Sequence, residues 1–392
     1  MSYRSINEAD ELEAFCRDLA GQPWCALDTE FIAENAYLPQ LCLIQVAVPD
    51  QLVLIDAWRI RDLAHFWQVM AQPTPQTIVH GGRVEAEFCY RSANRVPEGW
   101  IDVQVAAGFV GYEFPAGYGT LVQRALGIQL TKHETRSNWR QRPLTAEQIE
   151  YALEDIRYLY PLWQRIEEQL EKADRKKWFL EEIQDQLEEL LGNVECPRWW
   201  RLSGRNVLDR QGLAILRSLW FWREEEARRT NRPPKQILRD DLLVELARRK
   251  TADPKRIAAI RGLGQKQFGR YLHAVSLCIK QALELREEKW PLVPRSHEAS
   301  HVSPVLAQLL FAALANLCRQ KNLAPGLVGS PSDVRDWLAW RVFQLREEPP
   351  KLARGWRAQI VGTLFDELIT GRAALKVADP RGEFPLTIIS LP

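Results

Sequence analysis

No part of this 392-residue sequence is apolar for long enough to cross a bilayer; the longest such stretches, 41–48 and 101–110, are short or interrupted. The first eight residues lack the basic start and apolar block of a secretory leader, so a soluble, cytoplasmic protein with no membrane partner is expected. The seven cysteines, an odd number at positions 16, 25, 42, 89, 196, 278 and 318, include no C-x-x-C pair and no clustered histidine partner. Reduced thiols follow, and a structural zinc site is disfavoured. A net charge of +1 excludes nothing by itself.

The composition is otherwise ordinary for a globular chain, 46% hydrophobic and 26% charged, at a length that suits two or three domains. The distribution of charge is more informative than its total. Residues 205–290 hold 20 Lys or Arg against 11 Asp or Glu, and the rest of the chain is correspondingly acidic. An acidic body joined to a basic module suits a protein that holds cations in one part and a polyanion in another.

Along the chain, 6–20 reads as a short helix capped by Asn7, followed by strands at 24–31, 41–48 and 52–56, the last two joined by a Pro49-Asp50 turn that suggests a hairpin. Helix and strand then alternate: helix 61–71, strand 77–80, helix 84–94, an extended piece at 100–103, and helices at 118–127 and 145–172. A three-stranded antiparallel start followed by α/β alternation implies a mixed sheet covered by helices. Beyond residue 192, helical patterns fill 208–285 and 305–370, interrupted by Pro- and Gly-marked connections and followed by a short polar and apolar tail. "RGLGQKQFG" at 261–269 and "RGWRAQIVG" at 354–362 form a weak repeat and suggest two copies of one helical module. Three parts are expected: 1–195, 208–288 and 303–392.

The stretch "ALDTEF" at 26–31 places two carboxylates in what otherwise reads as a core strand. Side chains at i and i+2 of a strand share a face, so Asp28 and Glu30 project together while Leu27, Thr29 and Phe31 point the other way. Like charges beside apolar surroundings are costly unless a cation joins them. Glu85 follows the strand "TIVH", and Tyr151 and Asp155 are neighbours at i and i+4 of a helix.

Taken together, "ALDTEF…YLPQLCLIQVA", "VHGGRVEAEF", "IDVQVAAGFVG" and "GYGTLVQRALGIQLTKHETRSNWRQRPLTAEQIEYALEDIRYLYPL" resemble the ribonuclease D family of DEDD exonucleases over most of 20–170. The block at 208–285 resembles the HRDC domain that follows this core, and 303–375 resembles a second, degenerate one. The resemblance implies an α/β ribonuclease H-like mixed sheet followed by one or two all-α HRDC-like domains. It also implies a 3′→5′ exoribonuclease that releases nucleoside 5′-monophosphates from RNA 3′ ends, such as those of tRNA precursors.

Two divalent metal ions, Mg²⁺ or Mn²⁺, would be held by Asp28, Glu30, Glu85 and Asp155. Asp28 would bridge both ions, and Tyr151 would hydrogen-bond the attacking water. One departure stands out: the family carries Asp five residues after the histidine, where this chain has Glu85, preferred over Glu87 because of the direction it faces. The extra methylene, on the order of 1.5 Å, leaves two readings of that position. The chain is then either a compensated enzyme or an RNA-binding protein with a weakened site. A further alternative keeps the chemistry and changes the polymer to single-stranded DNA.

His80 reads as a satisfied structural histidine. Lys132 and Arg136 either touch substrate phosphates or lie in a solvated loop with Glu134. Arg261, Lys266 and Arg270 surround a helix start that suits a phosphate. The tryptophans at 199, 200, 220 and 222 read as packing.

Overall fold

In a computed structural model of the protein, residues 3–130, 137–195, 198–263, 266–291, 302–345, 347–382 and 384–391 are described. The chain divides into two compact units, one made of 1–30, 41–190 and 297–392 and the other of 31–40 and 191–296. The expected three successive parts are therefore drawn differently: residues beyond 303 group with the sheet.

The first unit opens with β1 (Tyr3–Ile6), α1 (Ala9–Leu19), β2 (Trp24–Ile32), β3 (Gln40–Val48), β4 (Gln51–Ile55), α2 (Ala64–Met70), β5 (Gln76–Val79), α3 (Arg83–Ala93), β6 (Trp100–Asp102), α4 (Val103–Gly108), α5 (Tyr118–Leu126), α6 (Ala146–Arg157), α7 (Leu159–Lys172) and α8 (Lys176–Glu195). The six strands form a mixed sheet in the order β1-β4-β3-β2-β5-β6. The β3–β4 hairpin is antiparallel as expected, with Asp50 at φ 64° in its turn. The edge strand β1, which pairs parallel with β4, was not legible: four residues are too few to show a period. Asn7 is not the cap of α1. Glu8 holds that position and forms a capping box with Glu11.

The core lies where β3 and β5 bury both faces, between helices such as α2 and α7 that contribute Phe66, Trp67, Leu162 and Ile166. Strands β2 and β5 run parallel with Ala26 opposite Ile78. The end of β2 that carries Asp28 and Glu30 therefore lies beside the turn that leads from β5 into α3. In α/β sheets, such carboxyl ends are where functional groups gather.

The second unit contains α9 (Arg210–Thr230), α10 (Pro234–Ile237), α11 (Asp240–Arg249), α12 (Pro254–Ala258), α13 (Lys266–Gly269) and α14 (Leu272–Leu283). Leu213, Leu216, Leu219, Leu243, Leu246, Val275 and Ile279 fill its interior, with Trp199, Trp220 and Trp222 packed against it; Trp200 is exposed. The loop between β2 and β3 belongs to this unit. The Tyr37 amide donates to Asn231 Oδ1 (3.2 Å), the Gln236 side chain donates to Asn35 Oδ1 (2.8 Å), and the Arg228 guanidinium lies over the Tyr37 ring.

The remainder of the first unit is α15 (Pro304–Gln320), α16 (Pro325–Val328), α17 (Pro331–Arg341), α18 (Gly355–Val361), α19 (Leu364–Ile369) and a hairpin of β7 (Ala373–Val377) with β8 (Leu386–Ser390). That hairpin forms in the polar and apolar tail after the second helical block. At its attachment to α8, the Arg357 guanidinium meets Glu182 Oε2 at 2.5 Å, and both side chains are 3% exposed. Arg357 also donates to the carbonyls of Leu327 and Val328, while Glu182 accepts from Trp356 Nε1 and Gln186. Gly355 turns the chain there at φ 49°, a left-handed conformation that glycine adopts without steric cost.

Removing one partner of a buried ion pair leaves an uncompensated charge, whereas removing both exchanges it for apolar packing. Arg357→Met is expected to destabilise the protein by about 3–5 kcal/mol in chemical denaturation. The double change with Glu182→Leu should recover most of that loss.

Candidate active site

Asp28, Glu30, Glu85, Tyr151 and Asp155 come from β2, α3 and α6. Tertiary structure brings these five sequence-selected residues within electrostatic reach of one another. Glu85 sits in the first turn of α3 and is 6% exposed. Its Oε1 accepts from the Thr29 hydroxyl at 2.5 Å. Glu87 points away and pairs with Arg91 at 2.6 Å.

The turn before α3 is fixed by a residue that sequence reasoning passed over. Asp102, at the end of β6, accepts from the backbone amides of Gly81 (2.9 Å) and Gly82 (3.0 Å) and also caps α4 through Gln104. Gly82 permits this approach, since a Cβ there would lie 2.4 Å from the Val79 side chain. His80 is satisfied by the Ala116 carbonyl at 2.9 Å, and burial lowers its pKa. The available signal for Asp102 was its place in "WIDVQ", where an acid ends a strand and can cap the next helix.

The second support is Tyr118. The expected single helix 145–172 is broken at Tyr158, whose amide donates to the Tyr118 hydroxyl (3.3 Å), while that hydroxyl donates to the Glu154 carbonyl (3.2 Å). Pro161, in the first turn of α7, has no N–H to continue the ladder from α6; that proline was the overlooked signal. The break sets the direction of α6 and thus of Tyr151 and Asp155. At its other end α6 starts on a Thr145–Gln148 capping box. The preceding turn is held by Arg142, bidentate to Asp56 at 2.6 and 2.7 Å. Trp139, buried in the same turn, lies 6.0 Å from the Tyr151 ring.

The carboxylates repel one another in a poorly solvated place. Burial first, then the charges of Glu85, Asp155 and Glu30, hold the Asp28 carboxyl well above its usual range. Burial, with Asp155 and Glu85, pushes Glu30 up to about 8. Asp155 is raised to about 7 by burial, against a lowering hydrogen bond from Tyr151. Burial also raises Glu85, with the Thr29 hydroxyl opposing. Tyr151 is raised by burial and then by the Asp155, Glu30 and Asp28 charges, so its hydroxyl stays protonated.

Among the described residues no Lys or Arg pairs with any of the four carboxylates. Nor do three or more His, Cys, Asp or Glu side chains there form a ready-made metal-holding group. The donor set nevertheless fits a hard divalent cation: it is all carboxylate oxygen, carries uncompensated charge, and gains from any cation that relieves the repulsion.

The other selected residues fall elsewhere. Lys132 and Arg136 lie outside the described residues. Lys266 begins α13, with its side chain outside the description. Arg261 and Arg270 are exposed in the second unit, Arg270 with its guanidinium 4.6 Å from the Tyr271 ring. Among the described residues no helix is long and apolar enough to cross a membrane.

A strand bearing D-x-E, an acid opening a second element and Tyr-x-x-x-Asp on a helix define a DEDD-type exonuclease domain. Residues 3–171 match the family model described as 3′-5′ exonuclease, and 212–279 match the HRDC domain. The chain is 32% identical over 375 residues to ribonuclease D of Granulibacter bethesdensis, covering 95% of this chain and 94% of that one. It is 31% identical over 391 residues to ribonuclease D of Acidiphilium cryptum, covering 99% and 97%. The crystal structure of Escherichia coli RNase D, described as an exoribonuclease involved in structured RNA processing, superposes with a TM-score of 0.82 at 25% identity. That match covers 95% of this chain and 99% of the other.

The chain belongs to the ribonuclease D family of 3′→5′ exoribonucleases. Exonucleases of this type work with divalent metal ions, and neither the inactive-site nor the DNA alternative is favoured.

Folded-state values of about 8 for Glu30 and about 7 for Asp155 exceed the roughly 4 of an unfolded carboxyl. The metal-free fold therefore keeps protons that the unfolded chain releases, and its stability declines as pH rises from about 4 toward 8. Thermal unfolding of EDTA-treated protein should show a melting temperature that falls between pH 5 and 8. The fall should be smaller in Glu30→Gln and with Mn²⁺ added.

Proposed function

We propose that the chain shortens structured RNA such as tRNA precursors from the 3′ end in the cytoplasm, releasing nucleoside 5′-monophosphates with two Mg²⁺ or Mn²⁺ ions. The observation that carries this reading is the gathering of four carboxylates with no Lys or Arg paired to them among the described residues, where burial, with mutual repulsion at Asp28 and Glu30, raises their pKa values. Asp28 and Glu30 on β2, Glu85 on α3 and Asp155 on α6 would hold the cations. When bound, the ions supply an activated water near neutral pH and neutralise charge on the attacking and leaving oxygens. Tyr151, kept protonated, orients that water by hydrogen bonding and is itself aimed by Asp155.

In the second unit, Arg261 and Arg270 are exposed, and Lys266 stands between them in sequence. Together with Lys132 and Arg136 they form the set proposed to contact backbone phosphates; such contacts position a substrate without reading its sequence.

End-labelled RNA and a DNA oligomer of matched sequence, incubated with Mn²⁺ or Mg²⁺, test the reading directly. A ladder shortening from the 3′ end on RNA is expected. Asp155→Asn should reduce the rate at least about 100-fold through loss of a ligand, and Tyr151→Phe about 100-fold through loss of water orientation. Preference for DNA, or shortening from the 5′ end, would overturn it. Arg261→Ala with Arg270→Ala should weaken RNA binding and flatten its salt dependence, leaving the metal requirement untouched.

A further inference from the structure

The departure at position 85 is matched by a contact on the neighbouring strand. Strand alternation places Thr29 on the face opposite Asp28 and Glu30, yet its buried hydroxyl donates to Glu85 Oε1. That bond occupies one oxygen of Glu85, and the Glu85 charge weighs on the Asp28 carboxyl more than that of any other side chain. A glutamate has one more rotatable bond than an aspartate, and in a site that tolerates displacements of only about half an ångström that freedom must be removed. An aspartate on the same backbone would end about 1.5 Å short and would not reach the hydroxyl from the same position. The longer side chain and the hydroxyl that tethers it therefore operate as a pair.

We propose that Thr29 is a positioning residue that locks the Glu85 side chain in place and so fixes this longer carboxylate as a cation ligand. The inference rests on the metal-site reading given above. Thr29 itself touches neither cation nor RNA; it acts only through Glu85, and its importance depends on the residue at 85.

The test is a double-mutant cycle on the full-length protein, with Thr29→Val and Thr29→Ser made in the parent and in Glu85→Asp. Three quantities are read: Mn²⁺ affinity by calorimetry without RNA, and kcat and KM on an RNA 3′ end. In the parent, Thr29→Val should weaken Mn²⁺ binding and lower kcat by about 10-fold each, the size expected when a group orienting a ligand is lost, with KM for RNA unchanged. Thr29→Ser should stay within about threefold of the parent, because it keeps the donor. In the Glu85→Asp background, Thr29→Val should change Mn²⁺ affinity by less than about twofold, since sites that share no contact do not couple.

Equal losses in the two backgrounds would overturn the pairing, as would no loss in the parent. Thr29→Ala is read in the same way should Thr29→Val fail to fold. A parent that binds Mn²⁺ but leaves RNA intact would overturn the proposed function while the calorimetric cycle still judged Thr29. A parent that bound no Mn²⁺ would overturn both.

Discussion

Four carboxylates held together in a low-dielectric place are the constraint around which the first unit is built. Mutual repulsion between Asp28, Glu30, Glu85 and Asp155, added to their burial, is unfavourable in the metal-free fold. Such a cluster persists only if the surrounding structure over-determines it. Asp102 holds the turn that aims α3, Tyr118 holds the break that aims α6, and Arg142 locks the entry to α6 onto Asp56 between two strands. Each support is a set of hydrogen bonds from a side chain to backbone or to an opposite charge, and none involves the four acids themselves. The stored repulsion is then available to a divalent cation, whose binding relieves it.

The two helical modules show how one local pattern can take opposite roles. Both carry Arg-Gly ahead of a short helix. In the second unit, Arg261 and Arg270 are exposed beside Gly262, a pattern that suits a polyanion. In the first unit the equivalent Arg354-Gly355 segment runs against α8. The Trp356 amide donates to Glu181, and Glu182 receives both Trp356 Nε1 and Arg357. Where the one module presents its positive charge to solvent, the other has met carboxylates of its own chain. A buried, fully bonded ion pair of this kind fixes register more than it stabilises.

Much of the site was legible because it rests on short periods. The two-residue repeat of a strand put Asp28 and Glu30 on one face, the four-residue step of a helix put Tyr151 beside Asp155, and the ordered motifs pointed to the family. Glu85 was separable from Glu87 because helical spacing turns the two in different directions. Local bonding decided other details against expectation: Glu8 rather than Asn7 caps α1, since only Glu8 forms the reciprocal box with Glu11. Asp102 went unnoticed because its partners, the amides of Gly81 and Gly82, lie some twenty residues earlier, in the turn between β5 and α3.

What the sequence alone determined is most of the order of elements in the sheet, the pairing of Asp28 with Glu30 and of Tyr151 with Asp155, and the charge asymmetry between modules, all of which follow from periodicity and composition within a few turns of chain. What only tertiary structure decided is which groups meet at long range. Residues beyond 303 group with the sheet, where Arg357 meets Glu182 on α8 and Trp356 packs on Phe109. The break ahead of Pro161 is satisfied by the hydroxyl of Tyr118, some forty residues earlier. And Thr29, which alternation turns away from its acidic neighbours, comes to hold Glu85, because a hydrogen bond is set by where two atoms lie in space and not by their separation along the chain.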